Sequence, residues 1–553
     1  MKTSMRPAFL ASVLVFIFAV IGLAQRAEQA RRMPVADVFQ DDFYSHYHPV
    51  STKSTEAQRL FEHGLVLIYA LDNDGAWKSF HRAAALDPNM AMAYWGIAYS
   101  MGSTHYMPGN PVRERDAYEA LQKALTLSAH GPEVERAYIT ALGKRYCNCP
   151  NPNRQQEAVE FTNAMRDLAQ SYPDDLDAAT LYALTIMNLS PGGLWNADGT
   201  PWEGTPEILS VLESVLKRDP RHIGAIHFYI HAVEASPSPE RALAYANVLP
   251  SLAPPIGHLV HMPAHIYIRT GDYIAAEDVC LKAAQVDENH IRDSLKPDMF
   301  TTMSYLHDLY FLVIAASMDG HYSIAKRAAN RLVAWLGPHV KEIPQLQAYL
   351  TAPTAVLVRF HRWDDILRLP PPNVSLKIAS TMWHFARGMA FAATEKLAEA
   401  DAEHQAVTDS LGGTAPDEIF AMPPYNKASD ILKIASDVLA AKLAMARNER
   451  SQAISQLRDA VAVQDSLKYG EPPTWFYPVR ESLGAALFLD GQTSEAEQVF
   501  REDLQRNPRN PRSLFGLREV LRASGRSYDG GFVQAELEVA WKSDLPQLDL
   551  HNF

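Results

Sequence analysis

GLVLIYALDNDGAWKSFHRAAALDP, residues 64–88, carries Gly64, Ala76, Phe80 and Pro88 at intervals of 12, 4 and 8. The same intervals return near the other end of the chain, in GAALFLDGQTSEAEQVFREDLQRNP, as Gly484, Ala496, Phe500 and Pro508. Between them, Ala264, Ala276 and Cys280 repeat the 12 and 4, as do Ile230, Ala242 and Ala246, and Gly388, Ala400 and His404. A spacing fixed over several copies marks a repeat architecture. Its physical sense is a helix pair. A small residue midway along a first helix lets a second helix cross it closely. A turn follows, then a small residue and an aromatic on the second helix, and a proline that ends it.

Gly271, Gly320 and Gly491 each stand five residues before the small residue of a second helix, where the turn belongs. The unit of about 34 residues resembles the tetratricopeptide repeat. No alternating strand pattern competes with it. The expected fold is therefore all-α, a right-handed superhelical solenoid of tetratricopeptide-like helix hairpins, each burying its apolar face on its neighbours. The expected organisation is a lead segment at 25–55, repeats at 56–145, an irregular insertion at 146–205, and histidine-rich repeats at 206–365. A repeat with Pro/Gly-rich loops follows at 366–430, then repeats at 431–530 and a cap at 531–553. NLSPGGLWNADGTPWEG, LRLPPPNVS and GGTAPDEIFAMPPYNK interrupt the pattern and read as loops on one rim.

The 553 residues carry 51 basic and 64 acidic side chains, a net charge of −13, with 47% hydrophobic residues. That composition is of an ordered protein. No Lys/Arg block occurs, which argues against nucleic acid or an anionic membrane surface as partner. Residues 1–24 read as a signal peptide: Lys2 and Arg6 precede an apolar run from Phe9 to Ala24, and Gly22 and Ala24 have cleavage-site spacing. Export to the periplasm or beyond is expected, with Gln25 as the new N-terminus and a membrane anchor only if the segment stays uncleaved. Three cysteines, Cys147, Cys149 and Cys280, are too few and too oddly placed for a disulfide scaffold.

The candidate site lies in two adjacent repeats. GHLVHMPAHIYIRTGDY carries His258, His261 and His265, and the preceding HFYIHAVEAS carries His227, His231 and Glu234. His227 to His261 is 34 residues and His231 to His265 is 34, so the pairs occupy matching places on neighbouring first helices. The next repeat adds His307 and Tyr310, and Arg269 lies one turn beyond His265. Spacings of three and four put such residues on one helical stripe. Pro263 removes a backbone hydrogen bond within that stripe, and a kinked but continuous helix is expected there. Lone histidines such as His63 and His384 read instead as hydrogen-bonded structural residues.

Crowded imidazoles repel when protonated and need partners when neutral. A transition metal answers both problems, and zinc, iron or copper would each suit imidazole with carboxylate. An anionic small ligand beside Arg269, or a peptide in the concave groove, are the alternatives. A metal predicts that ring nitrogens of His227, His231, His261 and His265 come within about 5 Å of a common point. Glu234, His258 or His307 would then contribute a further ligand or support.

HFYIHAVEASPSPERAL, GHLVHMPAHIYIRTGDY and EPPTWFYPVRESLGAAL resemble a group of bacterial tetratricopeptide-repeat proteins without an established activity. The resemblance spans most of the chain after the signal segment and implies the fold. Relatives in that group carry a histidine where this chain has Tyr310 and an acidic residue near Leu184. Trp475, Phe476, Tyr477 and Arg480 read as packing between repeats. There is no HExxH, GxSxG or phosphate loop. A binding or scaffold protein that takes a protein, peptide or small ligand is thus the first expectation, and a metal-dependent enzyme using Glu234 and Tyr310 the second.

Overall fold

The computed structural model describes residues 46–102, 111–146, 153–190, 193–293, 299–337, 340, 344–421, 426–543 and 548–553. The signal segment and the Cys147/Cys149 pair lie outside them. The described residues form α-helices and a few short 3-10 helices joined by turns and loops, and β pairing among them is confined to two isolated bridges, Trp195 with Pro201 and Ile419 with Lys427. The all-α expectation holds. No helix among the described residues is long and apolar enough to cross a membrane. The chain divides into two compact units, residues 1–189 with 214–225, and residues 190–213 with 226–553.

The 12-and-4 ruler has a direct physical meaning in each unit. In the first, helices Thr55–Tyr69, Asn73–Leu86 and Ala91–Met101 follow one another, and Phe80 of the second is fully buried. A Cβ on Gly64 would fall 2.7 Å from the Phe80 ring, and one on Gly96 would fall 2.4 Å from it. The aromatic is clamped between glycines of successive first helices. The second unit repeats this with Phe500 between Gly484 and Gly516, at 2.6 Å and 2.2 Å. The turn glycines Gly271, Gly320 and Gly491 have φ of 77°, 99° and 84°, the left-handed region that glycine enters without a steric cost.

Because Gly96 blocks its retreat, the Phe80 ring has nowhere to go if Gly64 gains a methyl. Gly64→Ala should recover up to about 1 kcal/mol of helix propensity but lose about 1–3 kcal/mol to overpacking. The net result expected in urea denaturation is a lower midpoint for Gly64→Ala; a raised midpoint would mean that the ring is not clamped.

The second unit holds the histidine repeats. His227 and His231 lie on helix Ile223–Val233. Helices Gly257–His261 and Pro263–Thr270 are separated only by Met262, which keeps right-handed helical angles (φ −48°, ψ −35°) and still donates its N–H to the His258 carbonyl at 3.2 Å. Pro263 therefore interrupts the ladder without turning the chain away, and the histidine stripe survives. Helix Tyr273–Asp293 then packs back, and helix Met299–Asp319 brings in His307. Trp475, Phe476 and Tyr477 are buried, and Arg480 donates from both terminal nitrogens to Asp465 at 2.6 Å, as packing residues do.

Candidate functional site

The repeat geometry sorts six histidines into two groups of three. His227, His231 and His258 form one, and His261, His265 and His307 form the other. Within each group the available ligand atoms lie within 4.8 Å of one another. Each triad follows one rule: two histidines four residues apart within one repeat, plus a third from the following repeat. His227 and His231 fall in one triad and His261 and His265 in the other, with the His231 and His265 rings 5.3 Å apart. Their helices are offset by a whole repeat, and His258 and His261, one helical turn apart, each serve a different triad.

In the second triad the nitrogens converge. His265 Nε2 lies 3.1 Å from His261 Nε2 and 3.4 Å from His307 Nε2. In the first triad His227 Nε2 and His258 Nε2 are 3.2 Å apart. His261 and His265 are buried, and the Phe311 ring sits 4.5, 4.6 and 4.8 Å from the His261, His265 and His307 ring centres. This apolar floor removes water as a partner for these nitrogens.

Carboxylates hold the other side of the rings. Glu234 places one oxygen 2.7 Å from His231 Nδ1 and the other 2.7 Å from His265 Nδ1, so one carboxylate orients one imidazole of each triad. Glu471 Oε2 lies 3.1 Å from His265 Nδ1 and 3.5 Å from His231 Nδ1. Asp308 Oδ1 stands 3.2 Å from His261 Nδ1, out of line for a hydrogen bond, and the Cys280 sulfur lies 3.6 Å from that nitrogen. The Tyr469 hydroxyl donates to Glu234 Oε2 at 3.0 Å.

The protonation pattern follows these contacts. Burial opposes a proton on His231, yet the Glu234 and Glu471 carboxylates outweigh it and raise the imidazole to about 10. His265 is raised by the same pair against its burial. Burial and then repulsion from His265 lower His307 to about 3. His258 and His261 are lowered well below the usual range, first by burial and then by neighbouring imidazoles. Burial, then Asp287, pushes the Asp308 carboxyl well up.

With Nδ1 of His265 committed to Glu234, its Nε2 meets two further Nε2 atoms. A proton on His265 bridges one of those contacts and leaves the other unsatisfied. An ion serves all three. Two nitrogens at about 2.1 Å from a tetrahedral metal stand roughly 3.4 Å apart, close to the observed 3.1 and 3.4 Å. Carboxylates on the distal ring nitrogens are what metal-bound histidines ordinarily have. The donor set therefore fits a transition metal.

Two expected participants are placed elsewhere. Tyr310 packs edge-on against Tyr349, with ring centres 5.1 Å apart. Arg269 donates to the backbone carbonyls of Glu234 at 2.9 Å and of Ser236 and Arg506 at 3.4 Å each, with its guanidinium 5.8 Å from the Tyr469 ring centre. It braces the Glu234 turn and does not present itself to a ligand. Glu471, Tyr469 and Asp308 escaped the sequence reading. His63 and His384 are hydrogen-bonded to Ser79 at 3.0 Å and Glu403 at 2.6 Å, in keeping with structural roles.

The first unit has its own polar node. Asp177 lies 3.0 Å from His46 Nε2, 2.7 Å from His48 Nδ1 and 3.2 Å from His222 Nε2, and it accepts the Tyr69 hydroxyl. His222 Nδ1 accepts the Ala225 N–H at 3.2 Å, so the neutral ring carries its proton on Nε2 and donates to Asp177. Asp177 there is a hydrogen-bond hub.

No family model matches the chain. A 67-residue stretch is 37% identical to an uncharacterized protein of Aquifex aeolicus (strain VF5), covering 12% of this chain and 8% of that protein's length. Among solved structures, the human IFIT1 dimer with PPP-AAAA is similar over 89% of this chain and 95% of that one, at 12% identity and a TM-score of 0.33. The P58(IPK) TPR domain is similar over 86% and 99%, at 12% identity and a TM-score of 0.22.

Proposed function

We propose that this chain is a transition-metal-binding helical-repeat protein, with an ion held by the Nε2 atoms of His261, His265 and His307. The convergence of three imidazole nitrogens, 3.1 and 3.4 Å apart, with His261 and His265 buried and the His265 ring held by Glu234, is the observation that carries the reading. Zinc, iron and copper all accept such a set. Three protein ligands leave a coordination position open for a small ligand or for a donor group of a bound peptide. Nucleic acid is left out of the proposed partners, because a net charge of −13 without a basic block repels a polyanion. Export remains part of the proposal, and an intact Met1 on native protein would remove it.

Metal analysis of the purified chain tests the reading. Stoichiometric zinc, iron or copper is expected, or tight binding on reconstitution; neither being found would overturn it. A second reading, a metal-dependent enzyme, draws support from the same open coordination position.

Glu234→Gln separates two roles for that residue. Glutamine keeps the shape but can accept from one imidazole N–H only, so one ring loses its anchor. Metal should remain stoichiometric with affinity lower by about 10- to 100-fold, as read by competition with a chelating dye. Complete loss of metal would mean that Glu234 is itself a ligand and that His231, Glu234, His265 and Glu471 are the true centre.

A further inference from the structure

We infer that the histidine repeats hold a pair of ions, one in each triad, and that the pair takes a small bridging anion between them. The inference rests on the metal reading above and extends it to nuclearity and ligand class. Its basis is translation by one repeat. His227 and His231 are related to His261 and His265 by 34 residues, and each pair recruits its third imidazole, His258 or His307, from the next first helix. What makes one triad a metal site makes the other one too.

The two triads are held close and joined. His258 and His261 lie on one short helix, Gly257–His261, so the two points are separated by roughly one helical pitch of about 5 Å. The His231 and His265 rings, one from each triad, have centres 5.3 Å apart. Both are fixed by the same carboxylate, with Glu234 oxygens 2.7 Å from each Nδ1, and Glu471 Oε2 reaches the same two nitrogens at 3.1 and 3.5 Å. Glu471 Oε2 is buried without an in-line hydrogen-bond partner, so its charge has unused capacity at the seam.

Charge sets the class of ligand. Two dications packed among neutral imidazoles repel strongly at this spacing. Glu234 and Glu471 supply two carboxylates at the seam, which leaves two positive charges for two dications. A bridging anion such as hydroxide offsets one of them, and the open position on each ion gives that anion somewhere to bind. A lone ion in the second triad would instead leave the His227–His258 nitrogen pair, 3.2 Å apart, with no cation.

The test uses the full-length chain stripped of metal by a chelator and titrated with Cu2+, then with azide, an anion able to bridge two ions end to end. The expected result is two equivalents per chain, with an azide charge-transfer band and the weakened electron paramagnetic resonance signal of a coupled pair. His258→Ala and, separately, His227→Gln should each retain one equivalent and restore an uncoupled signal, with helical content checked by circular dichroism. One equivalent in the wild type, insensitive to both substitutions, would overturn the pair and leave the single-ion reading intact. Two equivalents unaffected by either substitution would also overturn it, by placing the second ion elsewhere. No binding at all would remove both readings.

Discussion

Replacing His261 and His265 together with alanine is expected to remove one equivalent of transition metal from the protein while leaving its helical content in place. The second triad then keeps His307 alone. Structural zinc sites with four protein ligands are worth about 10–16 kcal/mol at neutral pH, so each ligand accounts for roughly 3 kcal/mol. Losing two of three imidazoles should weaken binding by about 10⁴-fold or more. The fold has reason to survive. Both side chains are buried, and their removal leaves a cavity, but it also removes the His265 repulsion that, after burial, lowers His307. The comparison is between wild type and variant under the same loading, so it reads one equivalent whatever total the wild type holds. His384→Ala is the control: that ring bonds Glu403 away from the triads and its loss should leave metal content unchanged. Equal metal in the wild type and the double variant would defeat the assignment of these histidines.

Much of this was legible because the repeat converts sequence spacing into spatial spacing. The 12-and-4 interval is the distance at which Phe80 or Phe500 meets a glycine on the preceding helix, and Gly96 and Gly516 close the clamp from the following one. The 34-residue match between His227/His231 and His261/His265 places them on corresponding turns of neighbouring helices for the same reason. The division into triads was not legible. It depends on the offset between repeats, which sets His258 with the pair of the preceding repeat and leaves His261 with His265 across Pro263. Glu471 and Tyr469 could not have been found this way. Tyr469 bonds Glu234 across 235 positions of the chain, from a loop that obeys no repeat interval, so only the folded path of the chain brings it there. Tyr310 and Arg269 failed for a subtler reason. Spacing of three or four residues puts a side chain near a stripe, but a competing partner decides its direction: Tyr349 for the first, three backbone carbonyls for the second.

The largest stability effect is expected far from the histidines, at Glu481. Its carboxylate receives both terminal nitrogens of Arg359, one of them at 3.1 Å, and the Asn510 amide at 2.8 Å, with Arg359 and Glu481 only 3% and 1% exposed. Arg359 also donates to the Ser317 carbonyl at 3.3 Å, and Arg512 donates to the Arg359 carbonyl. Glu481→Ala leaves a buried guanidinium without its counter-charge, a change that costs about 3–5 kcal/mol in comparable buried pairs. The urea midpoint should drop accordingly. The double replacement Arg359→Met with Glu481→Leu removes both charges and should recover a large part of that loss. A further signature comes from Asp503, which burial and then the neighbouring Glu481 raise to about 6. An acid raised in the folded state, from an unfolded value near 3.9, favours folding most when protonated. Its contribution is full below about pH 4 and is lost as pH rises toward 6. In Glu481→Ala the repulsive neighbour is gone, so this loss between about pH 4 and 6 should shrink. A Glu481→Ala protein with an unchanged midpoint and an unchanged pH profile would show that water or another carboxylate, Asp503 first among them, takes over the pairing of Arg359.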